Sequence, residues 1–202
     1  MTLSEPAAEA IAALTGTRWA IIDAPAHVEP HAGLYAIYGD EQATWDLGLV
    51  DDEQAEAESK LPLYIGKAEK SFVSRDLQDH FAALPGSAAK TGSSTMRRSF
   101  AALLRVQLEL QAVPRNLNKP GYFSMYALGG EGDARLTAWM HDRLTLAVWP
   151  APDAVPVALA DIETELIRHL TPPINIAKNP RKLARLRAAR TAMAAEARAW
   201  TP

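Results

Sequence analysis

Apolar and polar residues alternate in short segments that predict several β-strands. Two of these segments, residues 33–38 and 61–65, are each followed by a glycine and are expected to be strands that could form a hairpin. Residues 19–24 are either a strand or a buried stretch, and residues 122–126 and 145–149 are further candidate strands.

Apolar residues at helical spacing predict helices between the strands. The segments with this period are residues 5–14, 71–84 and 159–170. Ser94 or Thr95 can cap a further helix and Asp133 another, because their side-chain oxygens accept backbone N–H groups at a helix start. Asn179 as the cap and Pro180 at the first helical position predict a long C-terminal helix.

The length of the chain limits its domain organisation. With 202 residues it can bury one core, but it is too short for more than one main domain with extensions. We predict an N-terminal extension at residues 1–30, a main α/β domain at residues 31–178 and a basic helix at residues 179–202. Residues 51–58 are acidic and have no period, which indicates a mobile loop.

The composition narrows the available chemistry. The chain has no cysteine, which excludes disulfides, cysteine-ligated zinc, iron–sulfur clusters and thiol nucleophiles. Carboxylates, imidazoles and hydroxyls remain, so any metal is expected to be a hard ion. No stretch approaches the roughly 20 apolar residues of a membrane span, and the N-terminal segment is acidic, unlike a signal peptide. We therefore expect a cytoplasmic protein with no membrane partner.

The net charge of −3 hides a strong separation of charge along the chain. Residues 1–63 hold twelve acidic and two basic residues, whereas residues 175–202 hold seven basic residues and one acidic residue. We expect the C-terminal helix to contact a DNA backbone through outward-facing arginines such as Arg181 and Arg185. The alternative is a solvated helical face with no ligand.

Three separate segments carry the residues with catalytic potential. They are Gly33-Leu34-Tyr35, Tyr64-Ile65-Gly66-Lys67-Ala68, and a helix with Glu163 that is followed by prolines and Asn175. Their order and spacing resemble the paired strand motifs and the metal-binding helix of the GIY-YIG nuclease family. The resemblance covers about residues 31–178; Leu34 replaces the family's isoleucine, and the loop between the two tyrosines is longer than usual.

The resemblance implies a fold and an activity. The fold is expected to be α/β (α+β), with a small, mainly antiparallel sheet of about three strands in the core, flanked by helices. The activity is expected to be that of a metal-dependent endonuclease, with one Mg²⁺ (or Mn²⁺) as cofactor and DNA as partner. The implied catalytic residues are Tyr35, Tyr64, Lys67, Arg75, His80 and Glu163.

Each of these residue types suits phosphodiester hydrolysis. Tyr35 and Tyr64, on adjacent antiparallel strands, would present both phenols on one face of the sheet, and the residues leave open which is the base. Lys67 is the candidate cation that would stabilise a phenolate. Arg75 would bind a phosphate oxygen, and Glu163 would be the single protein ligand of the metal.

Arg75 and His80 resemble the family's helix that brings an arginine, and often a histidine or tyrosine, to the same site. They are five residues apart in the sequence. This step corresponds to about 140° around an α-helix, so α-helical geometry alone does not place the two side chains on the same face.

Other residues are expected to contact the substrate. This set comprises Gly66, Arg97, Arg98, Asn175, Arg181 and Arg185. A side chain at Gly66 would obstruct the approach of a DNA backbone. Arg97 and Arg98 follow hydroxyl residues at a helix start, a pattern that either binds phosphate or caps a helix. Asn175 is expected to hold a loop or a water rather than to take part in chemistry.

Two alternatives to DNA cleavage stay open. The same fold could form a catalytically silent module that binds nucleic acid or protein, although a packing-only scaffold has no reason to keep Arg75 and Glu163 at one spot. A nuclease acting on RNA is also compatible with these residues. Target sequence, biological process and oligomeric state do not follow from the sequence.

Overall fold

The computed structural model of the chain describes residues 3–49, 60–84, 89–116, 118–152 and 157–201. The acidic segment predicted to be a loop, residues 51–58, lies outside the described residues. No helix in the described part is both long enough and apolar enough to cross a membrane.

The core of the molecule is a four-stranded antiparallel sheet, with a small two-stranded sheet beside it. The strands are β1 (Trp19–Ala20), β2 (Gly33–Gly39), β3 (Tyr64–Ala68), β4 (Ala112–Val113), β5 (Ala127–Leu128) and β6 (Leu144–Pro150). The large sheet has the order β1-β6-β2-β3, and β4 pairs with β5 in the small one. The predicted fold class is confirmed, with four strands in the main sheet instead of about three.

Helices cover both faces of the main sheet. The α-helices are α1 (Glu5–Leu14), α2 (Glu41–Asp46), α3 (Thr95–Leu103), α4 (Gly132–Arg143), α5 (Leu159–Leu170) and α6 (Ala184–Ala199). A π-helix covers Val73–His80, and short 3₁₀ helices cover Ala24–Ala26, Thr91–Ser93 and Pro120–Met125.

The central strand β2 is buried along its whole length, because both of its faces contact a hydrophobic core. Leu34, Ala36 and Tyr38 pack with apolar residues of α1 and α5 on one face. Tyr35 and Ile37 point to the opposite face, where the larger core contains residues of α3, α4 and α6. Because side chains alternate along a strand, Tyr35 lies on the opposite side of the sheet from Leu34 and Ala36.

Several predicted elements are confirmed at their predicted positions. The helices α1 and α5 match the predicted segments. Ser94 caps α3, and its hydroxyl oxygen accepts a hydrogen bond from the backbone N–H of Arg97 at 3.1 Å. Strands β2 and β3 pair antiparallel, as expected for the two strands that carry the tyrosines.

Other boundaries were predicted wrongly. Strand β3 begins at Tyr64 and continues through Gly66 to Ala68, because Gly66 pairs with Tyr35 across the sheet. Residues 122–126, predicted as a strand, lie largely in a 3₁₀ helix. Asp133 lies inside the first turn of α4 and is not its cap, since its carboxylate binds Thr91 instead.

The C-terminal helix also begins later than predicted, at Ala184. The side chain of Asn179 is used elsewhere: its Oδ1 accepts from the N–H of Arg181 at 2.7 Å, and its Nδ2 donates to the carbonyl of Pro172 at 2.7 Å. Asn179 therefore holds the turn that precedes the helix, instead of capping the helix itself.

Candidate active site

A polar cavity of about 440 Å³ lies where β3, the π-helix and α5 meet. Five of the six predicted catalytic residues line it: Tyr35, Tyr64, Lys67, Arg75 and Glu163. Glu69 and Asp79 also line the cavity. These side chains come from distant parts of the sequence, and the sheet brings them to one place.

The two tyrosines lie on the same face of adjacent strands. Tyr35 is directly opposite Gly66, and Tyr64 is two residues before Gly66 on β3. Their ring centroids are 6.1 Å apart. The prediction that both tyrosines lie on one face of the sheet is therefore confirmed.

Gly66 is needed for a reason other than the predicted one. A Cβ atom built at this position would overlap the ring and the hydroxyl of Tyr35, and would lie 2.9 Å from Cε1 of Tyr64. The Tyr35 phenol thus lies across Gly66. The glycine makes room for a tyrosine of the site, and this contact takes the place of the expected clearance for a DNA backbone.

Burial makes both phenols weak acids. It raises the pKa of Tyr35 well above 10, with a further increase from the negative charge of Asp76. It raises the pKa of Tyr64 to about 12, and there the charge of Glu163 adds to the effect of burial. Arg75 is the cation that lowers the pKa of both tyrosines. Neither phenol ionises at neutral pH without a partner that takes its proton.

Lys67 lines the cavity, but its ammonium group is paired with Glu69. Arg75 is the cation that acts on both phenols in this arrangement. The role of Lys67 in stabilising a phenolate stays a prediction, and it would require the ammonium to leave Glu69.

The π-helix changes the expected relation between Arg75 and His80. In this segment the N–H of Phe81 donates to the carbonyl of Asp76, five residues before it, at 3.0 Å. Residues five apart therefore lie nearly above one another, unlike in an α-helix. The imidazole Nε2 of His80 lies 3.1 Å from the hydroxyl of Tyr35. The angle of 140° applies to an α-helix only, and the π-helix instead places His80 beside a tyrosine of the site.

His80 is a neutral imidazole at physiological pH. Its side chain is buried, and burial together with the positive charges of Arg75 and Arg97 lowers its pKa well below 6.5. Its Nδ1 has no hydrogen-bond partner among the described residues. A neutral ring with one nitrogen next to the Tyr35 hydroxyl is able to accept the proton of that hydroxyl.

Asp76 is a site residue that no pattern in the sequence singles out. Its carboxyl group is completely buried, and neither oxygen has a hydrogen-bond partner among the described residues. Burial raises its pKa well above 3.8, while the charge of Arg75 and the hydroxyl of Tyr35 oppose this change. An aspartate in a helix is normally solvent-exposed, so only the structure reveals the position of this one.

Glu163 reaches the cavity from α5, which packs against β3. Its carboxylate is nearly buried and accepts a hydrogen bond from the ammonium of Lys178 at 2.6 Å. Lys178 has a left-handed backbone (φ 65°) and also donates to the carbonyl of Ala160 at 3.2 Å. Lys178 was not among the predicted site residues, and it is the cation bound to the predicted metal ligand.

The donors in the cavity fit a hard ion held by one carboxylate. Within the described part of the chain, no three His, Asp or Glu side chains are grouped so that they could enclose a metal. Mg²⁺ does not need such a group, because it keeps several waters and is commonly bound through one or two carboxylates and the phosphates of a substrate. Glu163 supplies an oxygen ligand of the right type.

Asn175 holds the backbone of β3 in place, which agrees with the positioning role expected of it, and its contact with substrate stays a prediction. Its Oδ1 accepts from the N–H of Ile65 at 2.8 Å, and its Nδ2 donates to the carbonyl of the same residue at 2.8 Å. These bonds satisfy the free edge of β3 between Tyr64 and Gly66. Asn175 therefore fixes the strand that carries Tyr64.

Arg97 is corrected from a substrate-binding to a structural residue. Its side chain is completely buried, and its guanidinium donates to the carbonyl of His80 at 2.8 Å and to the carboxylate of Asp133 at 3.1 Å. A guanidinium enclosed in this way does not reach a DNA backbone. It holds the end of the π-helix where His80 is located.

Arg98 is also mostly buried, with only 6% of its surface exposed. It donates to the carbonyl of Gly92 at 2.8 Å and to the hydroxyl of Thr95 at 3.0 Å. Other residues cover most of the side chain, and its predicted contact with a phosphate stays a prediction.

The arginines predicted to contact DNA from the tail have different surroundings. Arg181 is exposed. The guanidinium of Arg185 donates to the carbonyl of Leu47, next to Gly48, and so ties the C-terminal segment to the end of α2. Contact of these two residues with DNA stays a prediction.

A family model described as the GIY-YIG catalytic domain matches residues 33–193, which is more than half of the chain. The matched range begins at the first glycine of the Gly33-Leu34-Tyr35 motif and includes all six predicted catalytic residues. It ends inside α6, beyond the domain boundary predicted at residue 178. Comparison with curated proteins and with solved structures gave no match.

Proposed function

Because the chain belongs to the GIY-YIG family and carries its nuclease-type catalytic domain, we propose that it is an endonuclease that hydrolyses DNA phosphodiester bonds with a divalent metal, Mg²⁺ or Mn²⁺. One observation carries this proposal: two tyrosines, an arginine and a carboxylate from separate segments line a single polar cavity.

Arg75 is the residue that would bind the phosphate to be cleaved. It lines the cavity and acts electrostatically on both tyrosines. Its planar guanidinium is suited to hold two phosphate oxygens, and its positive charge would offset the negative charge that grows in the transition state.

Tyr35 and His80 would move the proton of the attacking water. The water oxygen bonds to phosphorus and its proton passes to the Tyr35 oxygen, while Tyr35 gives its own proton to Nε2 of neutral His80. The bond from phosphorus to the leaving sugar oxygen breaks, and that oxygen takes up a proton from solvent. Tyr35 is therefore the base in this proposal, because the imidazole of His80 lies next to its hydroxyl.

Glu163 would hold the metal ion. When bound, the ion would supply positive charge that stabilises the phosphate oxygens during the reaction. Lys178 donates to Oε2 of Glu163 and would hold the carboxylate in its orientation, so an ion bound by Glu163 would share the carboxylate with this ammonium or displace it.

Nicking of a supercoiled plasmid tests the proposal. We expect the wild-type protein to nick the plasmid with Mg²⁺ and to stop when a chelator is added. A structured RNA incubated in parallel tests the alternative substrate. Cleavage of the RNA alone would contradict the DNA part of the proposal, and binding without cleavage of either polymer would support the silent module.

A further inference from the structure

Three arginine side chains lie near one another: Arg98 on α3, Arg190 on α6, and Arg115 from the segment after β4. Arg98 and Arg115 both donate to the carbonyl of Gly92, at 2.8 Å and 3.0 Å. Arg190, on α6, donates to the hydroxyl of Ser99 at 3.3 Å. We call Arg98, Arg115 and Arg190 the arginine cluster.

The arginine cluster lacks a negative partner within the described residues. None of its members forms an ion pair with the carboxylates described, and Nε of Arg98 has no hydrogen-bond partner there. Burial, together with the positive charges of Arg190 and Arg115, lowers the pKa of Arg98 to about 10. Buried charges are normally paired, so this arrangement favours the binding of an anion from outside the chain.

Neighbouring residues fix the positions of these guanidiniums. The missing side chain of Gly92 leaves room for Arg115, since a Cβ atom there would lie 2.9 Å from Cδ of Arg115. The hydroxyl of Ser93 lies 3.4 Å from the second terminal nitrogen of Arg115. Arg115 is exposed and Arg190 is partly exposed, whereas Arg98 lies beneath them. The outer two are therefore accessible to a ligand.

The arginine cluster is close to the catalytic cavity. Helix α3 carries Arg98 next to Arg97, and the guanidinium of Arg97 donates to the carbonyl of His80 at 2.8 Å. The His80 imidazole in turn lies 3.1 Å from the hydroxyl of Tyr35, which lines the cavity. Successive phosphates of one nucleic-acid strand are separated by an axial rise of only about 3.4 Å. A strand with one phosphate in the cavity would thus have further phosphates close to that one.

We propose, on the basis of the nuclease function proposed above, that Arg115 and Arg190, supported by Arg98, bind a backbone phosphate of the substrate strand close to the one that is cleaved. The site recognises the phosphate and not the base, because guanidiniums at these positions contact anions of any sequence. The C-terminal helix would then contribute a phosphate contact through Arg190 as well.

Salt-dependent binding tests this proposal. Binding of a fluorescein-labelled DNA duplex is measured by anisotropy at several KCl concentrations, with chelator present so that no cleavage occurs. Each lost phosphate contact lowers the slope of log affinity against log salt by about 0.9. We expect Arg115→Gln to flatten the slope by about one, and Arg115→Gln with Arg190→Gln by about two. The single variant changes an exposed residue, so it remains informative if the double variant does not fold.

Arg105→Gln is the matched control. Arg105 contacts α6, the helix that carries Arg190, but it is paired with Glu196 of that helix at 3.2 Å. Removal of the Arg105 charge should therefore leave the slope unchanged. A folded Arg115→Gln protein with the wild-type slope would overturn the inference and leave the nuclease function standing. Failure of the wild-type protein to bind either this duplex or an RNA duplex of the same sequence would instead contradict the proposed function. If only RNA binds, the same slopes measured on RNA decide the inference.

Discussion

The Tyr35 phenol can occupy its position because residue 66 on the neighbouring strand is a glycine. The ring lies over Gly66 on the neighbouring strand, so any larger residue there would have to displace it. The two triplets that suggested the family thus form one packing unit, in which the glycine of the second makes room for the tyrosine of the first.

Gly66→Ala is therefore expected to damage the site. We expect a loss of stability of about 1–3 kcal/mol, as for other overpacked cores, and at least about 10²-fold slower DNA nicking, because misplacement by about 1 Å is enough for such a loss. Thermal unfolding and a nicking assay measure the two effects. Gly16→Ala is the control, since the nearest atom to its added Cβ is 3.3 Å away. Equal activity of Gly66→Ala and wild type would show that Tyr35 does not need this position.

Asp76 makes the stability of the protein depend on pH. Its folded pKa is raised above the unfolded value by burial, so the folded state favours the neutral acid. The stability associated with the protonated group is fully present below the unfolded pKa of about 3.9 and is lost as the pH rises through the folded pKa.

Asp76→Asn should remove this loss, because the amide has nearly the same shape and no charge. We expect the variant to gain free energy of unfolding relative to wild type as the pH rises from about 4 towards neutrality, by about 1.4 kcal/mol for each unit of pKa difference. Urea unfolding at several pH values measures it. A difference between the two proteins that is constant with pH would show that Asp76 titrates normally.

At the scale of elements, the sequence predicted best what depends on local pattern. The strands with the tyrosines and the helix with Glu163 have clear periods, and the structure contains them. The π-helix was not predictable, because its apolar residues also fit an α-helix and the arginine that binds its last carbonyl, Arg97, is 17 residues away from His80. Arg97 was misjudged for a similar reason: its partner Asp133 is 36 residues away in the sequence.

The π-helix offers a test of how Arg75 and His80 are aligned. Deletion of the exposed residue Gln78 would leave them four apart, and an α-helix then brings them within about 40° of each other. We expect the deletion to keep activity within about tenfold of wild type, because four-residue neighbours share a helix face. Insertion of alanine after Gln78 rotates His80 by about 100° if the helix becomes α-helical, and should abolish nicking. Equal activity of both variants would show that His80 does not act with Arg75.

At the scale of the whole molecule, the main sheet has a different set of elements on each of its two faces. The helices α1 and α5 pack on one face, while the tyrosines and the basic helix α6 lie on the other. The helix with Glu163 packs against the edge strand β3, so Glu163 reaches the same cavity as the tyrosines. Asn175 holds β3 in place. The site therefore exists only in the assembled domain, which explains why no single segment of the sequence was specific on its own.

The most direct test of the account is the activity of Glu163→Gln with Mg²⁺, compared with its DNA binding in chelator. The amide keeps the shape of the side chain but not the charge that would hold the ion. Glu165→Gln is the matched control, because Glu165 lies on the same helix and its carboxylate instead binds Ser4 at 2.6 Å and 2.7 Å. We predict that Glu163→Gln binds DNA like wild type but nicks it at least about 10²-fold more slowly, while Glu165→Gln nicks normally. Wild-type nicking by Glu163→Gln would contradict the assignment of Glu163 as the metal ligand and the catalytic site built around it.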